Sequence, residues 1–400
     1  MLKMIKSIPE RLSRITSGGK FIKEIDGMRF IAIMPVLVQH MAERFERNTP
    51  VNFTVPPENN ITAFLASHGF IGVYIFFVIS GFILSLPFAR HKLKDGRQVK
   101  LLSYYWRRIT RLEPPYILWT SLFFIVFVIH GHKVFTEVLP HYLASLTYTH
   151  GLFYHQWSPI NPPTWTLEIE IQFYIAAPFL ALAAFNIRHK IARRALNLVL
   201  ILSLMLIQQH FKLYTNPYNL TILGHLHYFL IGFMLADIYL CDWNSIKKNT
   251  VYDFIALAAI IALIFSWSWD FELHRRLLFA ASLFVLFFAV FKGNYVNRFI
   301  SNRWISAIGG MCYTIYLIHL PFSEFLISLT KNIHITNSYT VNLIIQLLIF
   351  LPLIICLSAV FFLLFEKPFM DKNWPRNLIA KIKNIFNHPK PVSLEVDKSQ

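Results

Sequence analysis

Long apolar runs separated by short basic or polar breaks make up most of the chain. Ten of them approach the length of a membrane-spanning helix: about 27–45, 64–88, 112–131, 165–186, 194–211, 219–241, 251–268, 276–292, 304–329 and 341–366. The pattern predicts an all-α polytopic membrane protein, a bundle of about ten transmembrane helices. Ahead of the first run, Leu2, Ile5, Ile8, Leu12 and Ile15 stand among Lys3, Lys6, Arg11 and Arg14. That spacing predicts an interfacial segment on the inner leaflet, interrupted at Pro9. Beyond about residue 380, Pro389, Pro391 and a polar end predict a disordered tail. The expected divisions are a basic segment 1–24, a membrane domain 25–369 and a cytoplasmic tail 370–400. The largest piece between runs, about 132–164, carries His132, His141, His150 and His155 with Trp157, Pro159, Pro162 and Pro163. It is expected to fold over the outer mouth of the bundle.

Composition narrows the class. Of 400 residues, 55% are hydrophobic and 16% aromatic, and the mean hydropathy is +0.48. A soluble protein of this size does not carry so much apolar surface without long uncharged runs. The basic first 25 residues lack the compact apolar core and cleavage site of a secretory signal. A formal charge of +17 would suit a nucleic-acid partner, yet the basic residues sit in short blocks between spans. Such blocks encode topology. With the N-terminus placed inside, the inner pieces hold 30 Lys and Arg and the outer pieces 7. Both ends are therefore expected in the cytoplasm. Cys241, Cys312 and Cys356 show neither metal spacing nor a pairing pattern, and read as small core residues.

Several polar residues lie where hydrocarbon should exclude them, and an intramembrane ionisable group is a functional candidate. His40 ends the apolar run that follows Glu24-Ile25-Asp26-Gly27-Met28-Arg29, with Gln39 beside it and Glu43 about one turn on. A histidine bonded to a neighbouring helix at the interface is the plainer account. The run at 165 opens with Glu168, Glu170 and Gln172; Glu168 and Gln172 share a face and Glu170 points elsewhere. The helix dipole explains one such acid better than two acids and an amide. At comparable depths, Glu170 and His40 are expected to meet. Arg107, Arg108 and Arg111 precede the third span from the cytoplasm; Arg108 and Arg111 share a helical face. Arginine grips phosphate with a planar fork, although anchoring to anionic lipid is the simpler role. His319, His225 and His227 are weaker signals, and paired intramembrane histidines lack any further haem signature. No metal is expected. The run Gly69 to Ile83 mixes small and large residues, as at a close helix contact.

Taken together, five motifs resemble acyltransferase family 3, a family of integral membrane O-acyltransferases. They are Ile25-Asp26-Gly27 through His40, Phe76-Phe77-Val78-Ile79-Ser80-Gly81-Phe82, and the pair Arg108 and Arg111. Trp165-Thr166-Leu167 to Glu170 with Gln172-Phe173-Tyr174 is the fourth, and Tyr313 to His319, closed by Phe365-Glu366-Lys367-Pro368, is the fifth. Tyr74, Ile171 and Glu113-Pro114-Pro115 depart from the family pattern and bear on the acceptor more than on the reaction.

The resemblance implies transfer of an acyl group, commonly acetyl, from cytoplasmic acyl-coenzyme A to a hydroxyl. The acceptor would be a glycan or lipid-linked glycan of a surface polysaccharide, or a small lipid or antibiotic, in a bacterial inner membrane. It implies essential roles for His40, Glu170, Arg108 and Arg111, with Asp26, Arg29, Glu168, Gln172, Tyr313 and His319 as further candidates. His40 would act as general base oriented by Glu170, or as a covalent acyl carrier. The arginines would hold the phosphates of coenzyme A. The rival reading is a transporter or flippase with His40, Glu170 and His319 along a proton or substrate path. A non-catalytic membrane partner would leave the histidine, the acid and the arginine pair unexplained.

Overall fold

A computed structural model describes residues 8–15, 22–131, 133–268, 270–371 and 373–379. Among them every regular element is a helix. We label the main ones α1 Lys23–Asn48, α2 Ile71–Leu93, α3 Leu101–His130, α4 Trp165–Phe185 and α5 Lys190–His210. The others are α6 Leu226–Cys241, α7 Val251–Ser266, α8 Leu273–Lys292, α9 Cys312–Thr330 and α10 Tyr339–Phe361.

α1 is the central strut. Glu24 and Asp26 occupy its first turn and Arg47 its last, each the sign the helix dipole favours. It packs against α2, α9, α10 and the short helix Arg303–Gly310. Two of these contacts are backbone to backbone. A Cβ on Gly72 would stand 2.0 Å from the Ala32 carbonyl oxygen, and one on Gly309 only 1.8 Å from that of Asp26. Only glycine fits at either crossing.

Each of the ten predicted runs is largely helical, with 64–88 and 304–329 each divided between two helices. Seven helical stretches among the described residues are long and apolar enough to cross a membrane. α6 and α7 have 16 residues each, about 24 Å at 1.5 Å per residue, short of a ~30 Å hydrocarbon core. α1 has length, but charges crowd both of its ends.

The loops sort into two groups, and their contacts stay within a group. At one end Thr54 N donates to Asn337 O (2.9 Å), Asn216 Nδ2 to His155 O (2.8 Å) and Tyr339 OH to Glu46 (2.6 Å). At the other, Lys92 bonds Asn186 (3.1 Å), Asn249 N donates to Lys292 O (3.0 Å) and Trp374 Nε1 to Thr110 O (2.9 Å). Each of these contacts joins segments that the charge pattern places together. Of the predicted interfacial segment, residues 8–15 are tied to the second end: Lys367 donates to Arg11 O, and Arg14 pairs with Asp26 (3.1 Å). Residues 1–7 and 16–21, His132, and the tail from 380 lie outside the described residues.

The segment expected to cap the outer mouth instead penetrates the bundle. Its helix Phe135–Leu146 runs beside α3, and Tyr116 OH donates to Ser145 O (2.7 Å). Further along, Asn161 Nδ2 donates to Leu317 O (3.0 Å) and Pro163 O accepts from Tyr316 OH (2.6 Å). Pro163 is buried among these ties, whereas Pro159 and Pro162 are half-buried and Trp157 is exposed.

Candidate active site

A cavity of about 680 Å³ opens among α1, α2, α3, α4 and α9 at the basic end. Seven arginines line it (Arg14, Arg29, Arg90, Arg97, Arg107, Arg108 and Arg111) against three carboxylates, Asp26, Glu170 and Glu366. The acids are already engaged. Asp26 pairs with Arg14 and Arg29. Glu366, on a π-helical turn Phe362–Glu366 after α10, accepts from Thr314 N (3.1 Å) and Oγ1 (2.6 Å). Glu170 accepts from Ser80 Oγ and from Tyr174 OH (2.7 Å).

The arginines of α3 are less complete. The Arg108 guanidinium lies 4.1 Å from the Tyr104 ring centre and 5.3 Å from that of Tyr174. Arg108 Nε, Arg111 Nε and Arg14 Nε are each buried without a hydrogen-bond partner. Buried donors are nearly always satisfied, and one left open costs about 1–3 kcal/mol, more when charged. An anion in the cavity would supply the missing acceptors. The phosphates of a nucleotide-type donor fit that requirement in charge and in number of oxygens.

His40 lies a layer away. Its Nδ1 is 3.3 Å from Glu43 Oε2, and its ring is 5.1 Å from that of His319. Glu43 is itself held by Gln39 Nε2 (2.8 Å) and Arg44 Nη1 (3.0 Å), while Arg44 Nε donates to Glu324 (2.7 Å). With Glu43 ionised, Nδ1 carries the proton and Nε2 presents a lone pair. His319 is fully buried; its Nδ1 donates to Tyr316 O (2.7 Å), leaving Nε2 without a partner.

The expected hydrogen bond between His40 and Glu170 is not formed. Ser80 and Tyr174 hold Glu170 on the cavity wall, and Glu43, one turn from His40, takes the place assigned to it. The two are linked indirectly. Thr166, one turn before Glu170, lies 2.5 Å from Tyr316 OH, and the Tyr316 ring is 5.5 Å from that of His319. Tyr316 lines the cavity and His40 does not.

The remaining candidates divide. Tyr313 lines the cavity and donates to Leu112 O (2.9 Å); Arg107 is exposed, with Nε donating to Ser103 O (3.0 Å). Glu168 and Gln172 point away, as their spacing implied. Glu168 accepts from Gly151 N (2.8 Å) and Gln172 from Ile222 N (2.9 Å), so both anchor loops. Among the described residues no cluster of His, Cys, Asp or Glu could hold a metal. Sequence reasoning missed Ser80, Arg14, Glu324 and the orienting role of Glu43. Of these, Glu43 carried a signal in its i, i+3 spacing from His40.

Comparison with known proteins places this geometry. A sequence model of an acyltransferase domain, that of acyltransferase family 3, matches residues 22–363. The chain is 24% identical over 344 residues to O-acetyltransferase OatA of Staphylococcus aureus (strain NCTC 8325 / PS 47), covering 79% of this chain and 53% of the relative. It is equally 24% identical, over 340 residues, to a putative O-acetyltransferase of strain COL, covering 76% and 51%. The chain thus spans about half the length of the curated relatives it matches. No solved structure matches it.

Proposed function

The chain belongs to acyltransferase family 3, and we propose that it is a membrane O-acetyltransferase. It moves an acetyl group from acetyl-coenzyme A, on the cytoplasmic side of a bacterial inner membrane, to a hydroxyl of a glycan or lipid-linked glycan. The relatives are named O-acetyltransferases, and the observation that carries the reading to this chain is the cationic cavity with open Nε donors on Arg108 and Arg111. We take the bundle to contain ten membrane helices with both termini inside, which puts this cavity at the inner face.

In this reading Arg108 and Arg111 grip the donor's phosphates, and Arg107 and Arg29 add charge at the rim. Glu170 positions rather than reacts: it fixes Tyr174, which with Tyr104 flanks the Arg108 guanidinium. His40 is the general base. Glu43 keeps its proton on Nδ1 and stabilises the imidazolium, the division of labour seen in hydrolase triads. The acceptor oxygen loses its proton to His40 Nε2 and bonds to the thioester carbonyl carbon. The carbon–sulfur bond breaks, and the proton passes to the departing thiolate. Tyr316 and His319, which lie between His40 and the cavity, shift to let the acyl end through. Purified protein in lipid, given acetyl-coenzyme A and a glycan acceptor, should release thiol and acetylate the glycan. Thiol release and acetylation undiminished by His40→Ala would overturn the base assignment.

A further inference from the structure

The loops at the opposite end enclose a second pocket. Trp157, Trp165, Tyr214, Asn219, His225 and Arg276 contribute to its wall. They come from the buried segment before α4, from α4 itself, from the α5–α6 connection and from the start of α8.

Arg276 is 6% exposed, and its two terminal nitrogens donate to Gln209 (2.9 Å) and Gln208 (2.7 Å). Its guanidinium carbon lies 5.0 Å from the Tyr214 ring centre. These partners are neutral, and among the described residues no carboxylate pairs with it. Buried Arg44 and Arg193 each have an acid. A buried cation satisfied only by amides keeps its charge uncompensated, and attracts an anion that enters.

The other polar groups ask for something different. His225 donates through Nε2 to Asn219 O (2.8 Å), which leaves Nδ1 as an acceptor, buried and without a partner. Asn219 Oδ1 is likewise a buried, unpartnered acceptor. Both need donors, and hydroxyl groups supply them. Trp157, 52% exposed, stands at the mouth. An indole there is usual at a membrane interface, but an interfacial belt does not account for the cation and two open acceptors behind it.

We propose that this pocket binds a carboxylated sugar unit of the acceptor glycan, its carboxylate on Arg276, its hydroxyls on His225 and Asn219, and its ring face on Trp157. The enclosed volume, about 60 Å³, takes one charged substituent with its neighbouring hydroxyl and leaves the rest of the ring at the mouth. A lipid phosphodiester would suit the cation but carries no donor on the phosphate itself for the two acceptors. The pocket also borders the His40 network: Phe70, in its wall, donates its N–H to Gln39 (2.9 Å), which in turn bonds Glu43. One sugar would be anchored there while a neighbouring hydroxyl reaches His40. The identification with the acceptor and that last step rest on the acetyltransferase reading; binding of the carboxylated sugar does not.

The test is calorimetric titration of the protein in zwitterionic nanodiscs with a galacturonic acid tetramer and with its methyl ester. The acid should bind at least tenfold more tightly than the ester. Arg276→Gln should remove that difference, and Trp157→Ala should weaken both ligands alike. Equal binding of acid and ester by the unaltered protein, no binding of either, or discrimination retained in Arg276→Gln would overturn the proposal. So would displacement of the acid by nanodiscs containing phosphatidylglycerol. If Arg276→Gln does not fold, the comparison of acid and ester on the unaltered protein decides. Thiol release from acetyl-coenzyme A, measured on the same samples, separates the claims. Release without discrimination refutes the pocket alone, and discrimination without release refutes the transfer reading alone.

Discussion

Two sets of arginines at the basic end of the bundle are treated in opposite ways. Arg193 and Arg194, at the start of α5, share the carboxylate of Asp237, and Arg193 also donates to the carbonyls of Ile187 (2.8 Å) and Arg188 (3.1 Å). Both guanidiniums are paired with carboxylates within the chain, Arg194 also with Asp242 (2.5 Å), and they join α5 to α6. Arg108 and Arg111 stand on a cavity wall with Nε donors open, beside acids already committed to Ser80, Tyr174 and Thr314. In the reading proposed above, the first set stabilises and the second binds a ligand. Residue type and end of the bundle are the same, so in this reading pairing alone separates a fastening from a binding site. His40 follows the first pattern: its carboxylate is supplied locally by Glu43, as the proposed role of base would require.

Substitutions at five positions would break or sharpen this contrast. His40→Ala should lower acetyl transfer by about 10²–10⁴-fold while coenzyme A binding stays unchanged; parallel turnover and binding assays check this. Arg193→Ala leaves a buried acid with only the partly exposed Arg194, and should lower stability by about 3–5 kcal/mol. Thermal unfolding in detergent would show that loss, with donor affinity intact in the folded fraction. Arg108→Ala or Arg111→Ala should reverse the pattern. Each should weaken coenzyme A binding about 10–100-fold, from hydrogen bonds to charged groups worth about 1.5–3 kcal/mol, with little change in unfolding. Lysine should restore only part of the affinity because it lacks the fork. Glu43→Gln should lower kcat less than His40→Ala does, at unchanged KM for the donor. A loss in KM instead would place Glu43 with the binding arginines.

Much of this was legible in the sequence, and the reason differs by level. Apolar runs and basic blocks record membrane burial one residue at a time, so the helical class and the grouping of loops followed from them. The shared face of Arg108 and Arg111 is local periodicity, as is the divergence of Glu168 from Glu170. Glu43 opposite His40 is local too, but where Glu170 points is not. It depends on how α4 is rotated against α2, where Ser80 captures Glu170. Within an apolar motif, Ser80 looked like a small packing residue. The buried ties of segment 132–164 to Leu317 and Tyr316 were hidden for a similar reason, since they lie far away in sequence. Seven rather than ten clear spans reflect the shortness of α6 and α7 and the charged ends of α1.

Equilibrium binding of coenzyme A to the protein in nanodiscs addresses the central claim most directly, comparing the unaltered chain with Arg108→Ala, Arg111→Ala and Arg193→Ala. The account predicts saturable binding, weakened at least tenfold by either α3 substitution and unaffected by Arg193→Ala in folded protein. Equal affinity across all four proteins, or no binding by the unaltered chain, would contradict it.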